Sequence, residues 1–342
     1  MTETIGVGLI GYGLGGRAFH APYVTTTPGL ALRGIVSRDP AKVHADWPTT
    51  RVLPDVAALL DDESVALVVV SSPDHLHAEH AQAALAAGKH VLVDKPFAAS
   101  LAEARALIAV AEHAGRLLSV FHNRRWDADF LTLRGLLEDG TLGEVVSYES
   151  RFDRWRPVPA ATWKEARAGG SWLDLGPHLV DQALVLFGRP TAITADIVTL
   201  RRDAPAPDYF HATLRYPHRR VTLHSSKLAA DHALRLAVHG TRGSWVKHGL
   251  DPQEAATVAG QRPGGADWGH DPIEGLFTPG EPAVATTRVP NRRGDYRLFW
   301  SALAGAIRGE GPNPVSPRDA LAVMEVLDAG LRSATERREV AL

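Results

Sequence analysis

Five short apolar runs in the first third of the chain, at residues 5–10, 30–36, 65–70, 91–93 and 117–120, are each followed by a stretch suited to a helix. Strands apolar at nearly every position are buried on both faces, and strands separated by helices are joined by crossovers rather than hairpins. The alternation therefore predicts an α/β fold with a parallel sheet and helices on both sides. Local punctuation agrees. Ser100-Leu-Ala-Glu103 is a capping box, and Gly88 and Gly140 stand where a left-handed residue would end a helix.

After about residue 142 the pattern changes. Residues 144–152, 191–201, 209–216, 220–227 and 234–238 are rich in Val, Thr, Tyr and Leu, alternate in polarity, and are joined by tight links such as Tyr216-Pro-His-Arg219. This pattern predicts an antiparallel sheet with one covered face. Helices over 296–308 and 317–336 close the chain, while the Gly- and Pro-rich stretch 250–292 predicts no regular element. A length of 342 residues suits two domains of about 100 to 200 residues each, with the second beginning near residue 123.

The formal net charge of −2 provides no field that would recruit nucleic acid or an acidic membrane, which favours a small-molecule partner. The absence of cysteine removes disulfides, thiolate nucleophiles, iron–sulfur clusters and Cys-containing zinc sites together. Met-Thr-Glu-Thr is polar and acidic, unlike a secretory or transit peptide. The aliphatic run at 65–70 is far shorter than the roughly 20 residues that span a bilayer. The expectation is a soluble cytoplasmic protein.

The first apolar run leads into Gly11-Tyr12-Gly13-Leu14-Gly15-Gly16, a G-x-G-x-x-G pattern between a strand and a helix. The first glycine permits the tight turn, the second admits a pyrophosphate to the backbone, and the third lets helix and strand pack closely. Free N–H groups at the helix start attract the anion. Gly11, Tyr12, Gly13, Leu14 and Gly16 are thus candidate cofactor residues, with Pro22 expected to shorten or bend the helix that follows. The second strand ends Ile35-Val36-Ser37-Arg38, where an NAD site would carry a carboxylate for the ribose. Ser37 and Arg38 suit a 2′-phosphate, so NADP fits better. Asp39, one or two positions late, keeps NAD open, and Ser37-Arg38-Asp39-Pro40 would also serve simply to start a helix.

The stretch His90-Val-Leu-Val-Asp-Lys-Pro-Phe97 ends a buried strand in Asp94, Lys95 and Pro96. A plain strand stop accounts for these residues. A doubly wound sheet gives them a second use, because its ligands lie beyond the carboxyl ends of the strands, where an ammonium can hydrogen-bond a substrate hydroxyl. Farther on, Asp174 and His178 are four apart. If Asp174 begins a helix with Pro177 in its first turn, the two share a face, and an imidazole is suited to take a hydroxyl proton. A capping Asp and a core His fit the same spacing. His75-Leu-His77-Ala-Glu-His80 clusters metal-ligating groups, but on a helix His75 and His77 point apart and no third ligand is placed. No metal is expected.

The glycine loop, Asp94-Lys95-Pro96 and Asp174-x-x-x-His178, in this order, resemble the glucose-fructose oxidoreductase, inositol dehydrogenase and rhizopine catabolism (Gfo/Idh/MocA) family over essentially the whole chain. Ala18-Phe-His-Ala-Pro22, His122-Asn-Arg-Arg-Trp126, Gly176-Pro-His-Leu-Val-Asp-Gln182 and Lys247-His-Gly-Leu-Asp-Pro-Gln-Glu254 look like the branch holding NADP-dependent scyllo-inositol dehydrogenases. The resemblance implies a doubly wound Rossmann domain over 1–122. It also implies an α/β domain over 123–342, built on a large open, mainly antiparallel sheet that serves substrate binding and homodimer or homotetramer formation. The implied activity is hydride transfer between NAD(P) and a secondary hydroxyl of a cyclitol or sugar. Lys95 would hydrogen-bond the reacting oxygen, His178 would act as acid/base, and Asp174 would orient the substrate or His178. Ser72, Pro73, His75 and His77 resemble the nicotinamide-side loop, with Asp94 and Lys95 beside the cofactor. The family usually carries Glu where Asp94 stands, and its Lys-Pro bond is often cis. Asn123, Arg124, Asp153 and Trp163 are candidate substrate residues, each with a structural role equally open. An NADP-binding sensor or scaffold without turnover is the alternative.

Overall fold

The computed structural model describes residues 4–160, 165–166, 169–281 and 284–342. Its first sheet contains β1 (Ile5–Ile10), β2 (Leu30–Val36), β3 (Val52–Leu53), β4 (Leu67–Val70), β5 (His90–Val93) and β6 (Leu118–Val120). The order is β3-β2-β1-β4-β5-β6 and every pair is parallel. Val68, Val69, Val70, Val91, Leu92 and Val93 are fully buried, which is why these strands show no polar alternation. β3 has only two residues and lies at the sheet edge, too short to leave a periodic signal. The order reverses between β1 and β4. Loops leaving neighbouring strands in opposite directions open a crevice at their carboxyl ends, where such sheets bind ligands.

The chain forms two compact units, and neither is continuous in sequence. Residues 1–126, 252–268 and 295–321 make the first, and 127–251, 269–294 and 322–342 the second. This division differs from contiguous halves at 1–122 and 123–342, because two later segments carry apolar surface that packs within the first unit. Helix Arg297–Ile307 buries Phe299, Trp300 and Leu303, with Phe299 lying 5.0 Å from Phe121, centroid to centroid. Ser119 Oγ donates to the Val315 carbonyl at 2.9 Å.

The second unit contains β7 (Val145–Arg151), β8 (Ala192–Val198), β9 (Tyr209–Arg215), β10 (Arg220–Ser226), β11 (Leu234–Gly240), β12 (Gly243–His248), β13 (Gly275–Pro279), β14 (Thr287–Val289) and β15 (Val340–Ala341). They run in the order β14-β13-β12-β11-β7-β10-β9-β8-β15, with β7 and β10 parallel and the other neighbours antiparallel. Tyr148, Trp172, Phe210, Leu223, Val238 and Trp245 are fully buried in its core. Trp172, on helix Gly170–Phe187, donates from Nε1 to the Leu327 carbonyl of helix Pro317–Glu336 at 2.9 Å. A side chain at Gly330 would begin 2.4 Å from the same indole, so this glycine sets how closely the two helices approach. Strands β12 to β15 have no counterpart in the sequence expectation. Gly275, which reads as loop, packs under Trp245, where a Cβ would fall 2.3 Å from the indole nitrogen. No helix among the described residues is long and apolar enough to cross a membrane.

Candidate functional site

In the first unit the glycine loop leaves β1 and meets the end of β4. Gly11 has φ of 97°, and a Cβ there would lie 2.5 Å from the Ser71 carbonyl oxygen. A Cβ on Gly16 would lie 2.3 Å from the Gly11 carbonyl oxygen, so helix and strand close against each other. Gly13 is exposed and a Cβ there would meet nothing within 4 Å, leaving its backbone open to an approaching phosphate. These three positions fit a dinucleotide. Leu14 is half exposed beside them. Tyr12 turns inward instead, its hydroxyl donating to Asp46 Oδ2 at 2.9 Å. Burial, with that carboxylate beside it, pushes the phenol above its ordinary range. The Tyr12 side chain is thus held inside the unit rather than presented at the surface of the loop.

The helix after the loop opens as a wide π turn, Gly15–His20, and continues as Ala21–Thr26 with Pro22 near its start. Proline has no N–H to give to the carbonyl four residues back, and the change from wide to normal turns falls where that donor is missing. At the end of β2, Ser37 Oγ lies 3.2 Å from the Asp39 backbone nitrogen. Arg38 is exposed and makes no hydrogen bond or ion pair with a described residue. Asp39 caps helix Pro40–Asp46, its Oδ1 accepting from the Lys42 N–H at 3.0 Å.

Lys95 begins the turn after β5, and the Lys95–Pro96 peptide is cis, as the family resemblance implies. Asp94 Oδ1 accepts from the Lys95 backbone N–H at 2.8 Å, while Oδ2 lies 3.2 Å from Ser71 Oγ and 3.3 Å from His20 Nε2. Burial alone would raise the Asp94 pKa. The His20 hydrogen bond and the charges of His20, His77 and Lys95 outweigh it and hold the carboxyl at about 2. His77 departs from its expected place beside the cofactor: its ring is buried, with Nδ1 2.7 Å from the Pro96 carbonyl and Nε2 2.9 Å from that of Ser72. Both nitrogens are spent joining the β4 loop to the Lys95 turn. His80 Nδ1 lies 3.0 Å from Ser72 Oγ, while Pro73 and His75 are exposed.

In the second unit, Asp174 and His178 occupy helix Gly170–Phe187, Asp174 exposed and His178 buried. Their spacing places them on neighbouring turns of one face. The helix does not begin at Asp174. Gly169 and Gly170 both have positive φ, a Cβ on Gly170 would lie 1.9 Å from the Pro207 carbonyl oxygen, and the Ser171 N–H donates to that oxygen at 2.8 Å. Pro177 consequently sits inside the helix rather than in its first turn. One turn beyond His178, Gln182 Oε1 accepts from Arg235 at 2.7 Å, and Arg235 is itself held by Ser150 Oγ at 2.6 Å and Asp129 Oδ2 at 2.9 Å.

The remaining candidates separate. Asn123 is buried. Arg124 is buried and ion-paired with Glu254, which ties the end of β6 to helix Gln253–Val258 instead of facing a substrate. Asp153 is likewise occupied, with Oδ1 accepting from the Ser226 N–H at 2.8 Å and lying 2.9 Å from His224 Nδ1, and Oδ2 lying 3.4 Å from Arg151. Trp163 lies outside the described residues. Sequence reasoning missed Gly15, Ser71 and His20. The signal for Gly15 was present as the third of the loop's four glycines, and a Cβ there would fall 2.6 Å from Asp94 Oδ2.

Two family models divide the chain between them. Residues 5–122 match the oxidoreductase family's NAD-binding Rossmann fold and residues 134–342 its C-terminal alpha/beta domain. The chain belongs to the Gfo/Idh/MocA oxidoreductase family. Its Rossmann domain binds a nicotinamide cofactor, and the glycine cradle described above fits that assignment. Among family members, the uncharacterized oxidoreductase YdgJ of Escherichia coli is 49% identical over 348 residues, covering all of both chains. The scyllo-inositol 2-dehydrogenase (NADP(+)) IolW of Bacillus subtilis is 36% identical over 345 residues, 99% of this chain and 96% of that protein. A solved structure from Yersinia pestis superposes with a TM-score of 0.97 at 48% identity, covering 100% of this chain and 98% of its own.

Proposed function

We propose that this oxidoreductase prefers NADP and transfers hydride between the nicotinamide and a secondary hydroxyl of a cyclitol or sugar. The observation that carries the reading is Lys95, presented at the carboxyl end of an inner parallel strand by a turn fastened on both sides. Bound NADP supplies the hydride acceptor. The Lys95 ammonium donates to the reacting oxygen, His178 takes the hydroxyl proton on oxidation and returns it on reduction, and Asp174 orients the substrate or the imidazole. Ser72, Pro73 and His75 border the nicotinamide side. In this reading the first unit serves the cofactor and the second the substrate.

Cofactor choice is supported by the second strand's end. The Asp39 carboxylate is spent on a helix cap, while the Arg38 guanidinium is exposed. The substrate class is supported by the 36% identical relative, named for scyllo-inositol and NADP(+). A homodimer or homotetramer through the open face of the second sheet belongs to the same proposal and rests on the family resemblance.

The test follows the absorbance of the reduced cofactor with a panel of cyclitols and sugars, alongside titration calorimetry of NADP and NAD. Turnover of at least one polyol with NADP is expected, and Arg38→Ala should weaken NADP by about tenfold to a hundredfold while leaving NAD nearly unchanged. Tight NADP binding without turnover across the panel would sink the enzyme reading in favour of a sensor. Equal losses for both cofactors would remove Arg38 from the phosphate site.

A further inference from the structure

We propose that His20 is a positioning residue for Lys95, acting through the Asp94 carboxylate and tying the glycine loop to the turn that presents the lysine. The role of Lys95 itself rests on the reading above. His20 closes the wide turn Gly15–His20 that follows the loop, and its ring is fully buried, 4.6 Å from the Phe121 ring and 5.9 Å from that of Trp300, centroid to centroid. A phenylalanine would fill such an aromatic niche without the cost of burying polar nitrogens. The imidazole makes one polar contact among the described residues. Nε2 lies 3.3 Å from Asp94 Oδ2, and Nδ1 has no partner. A buried polar ring with a single partner is explained by that partner.

Asp94 passes the constraint on. Oδ2 is held from the glycine-loop side by His20 and from the end of β4 by Ser71 Oγ, and Oδ1 holds the backbone N–H of Lys95 at 2.8 Å. Gly15 leaves the room this requires, since a Cβ there would stand 2.6 Å from Oδ2 and 2.4 Å from Ser71 Oγ. With Oδ2 clamped, the plane of the carboxylate is fixed, and with it the direction in which the Lys95 amide is drawn. On the other side of the turn His77 grips the Pro96 carbonyl. The lysine is therefore suspended between the two loops that border the cofactor crevice, so its placement follows theirs.

The test compares His20→Phe, which keeps the ring volume and removes both nitrogens, with His20→Gln, which restores a donor near the Nε2 position. In the full-length protein the readouts are kcat, KM for a turned-over polyol, NADPH affinity by fluorescence, and amide hydrogen exchange over residues 94–97 without cofactor. His20→Phe should lower kcat by about tenfold or more, keep NADPH affinity within about threefold, and speed exchange at Lys95. His20→Gln should regain most of the kcat and the protection. Unchanged exchange at Lys95 in His20→Phe overturns the proposal, as does a loss that His20→Gln shares in full. The exchange readout needs no turnover, so it separates this proposal from the substrate assignment. Should His20→Phe fail to fold, Ser71→Ala removes a hydrogen bond to the same oxygen without touching the aromatic packing. Faster exchange at Lys95 in that variant supports the linkage, and unchanged exchange overturns it.

Discussion

In the first unit β4 is apolar throughout and β5 is apolar after His90, and polar side chains follow where these strands stop, at Ser71, Ser72, Asp94 and Lys95. In the second unit charges lie inside the layers themselves: Arg235 of β11 pairs with Asp129, and Lys247 of β12 pairs with Asp271 at 2.8 Å, all four side chains essentially buried. A parallel sheet covered on both faces offers ligands only its strand ends, so polarity concentrates there. In the second unit such buried pairs join strands to other segments, to a helix at Asp129 and to a loop at Asp271. A buried pair adds little net stability when intact, but losing one partner strands the other charge. The first unit thus places polar groups at its ligand edge, and the second uses Arg235 to join β11 to helix Ala128–Glu138 through Asp129 and to helix Gly170–Phe187 through Gln182.

The contrast is sharpest for Lys95→Met, which should lower kcat by about a hundredfold to ten-thousandfold in steady-state assays while leaving the urea midpoint and NADPH affinity nearly unchanged. A large drop in the midpoint would break the distinction. Asp129→Ala should do the reverse, costing about 3 to 5 kcal/mol in urea unfolding because the Arg235 guanidinium loses its carboxylate. Asp94 tests the boundary between the two uses. Its carboxyl is held at about 2 in the folded protein, so its charge stabilises the fold above the ordinary carboxylate range, and that contribution disappears as pH falls through about 2. Wild type should exceed Asp94→Asn by about 2 kcal/mol near neutral pH, the gap closing between about pH 4 and pH 2 in thermal or urea melts. A gap independent of pH would assign the loss to packing instead.

Much of the first unit was legible in the sequence. Five of its six strands, the turn at Gly11 and the strand-end position of Lys95 follow from apolar runs and glycine chemistry confined to a few residues. The site's supports were not legible. His20 and Asp94 are 74 positions apart, and Arg124 and Glu254 are 130 apart, distances at which periodicity carries no information. In the second unit the face shared by Asp174 and His178 could be read from their spacing, whereas the start of their helix could not. Two successive glycines look like loop until the Pro207 carbonyl comes into view.

By itself the sequence determined the kinds of sheet, the dinucleotide loop, and the placing of Lys95 at a strand end and of Asp174 and His178 on one helix face, because strand burial and turn geometry are settled by neighbours along the chain. Tertiary structure decided that later segments complete the first unit, that glycine-rich stretches become edge strands, and that Tyr12, His77, Arg124 and Asp153 hold the fold. A buried polar side chain must find its partner wherever packing brings one, and that choice is made only when distant segments compete for the same space.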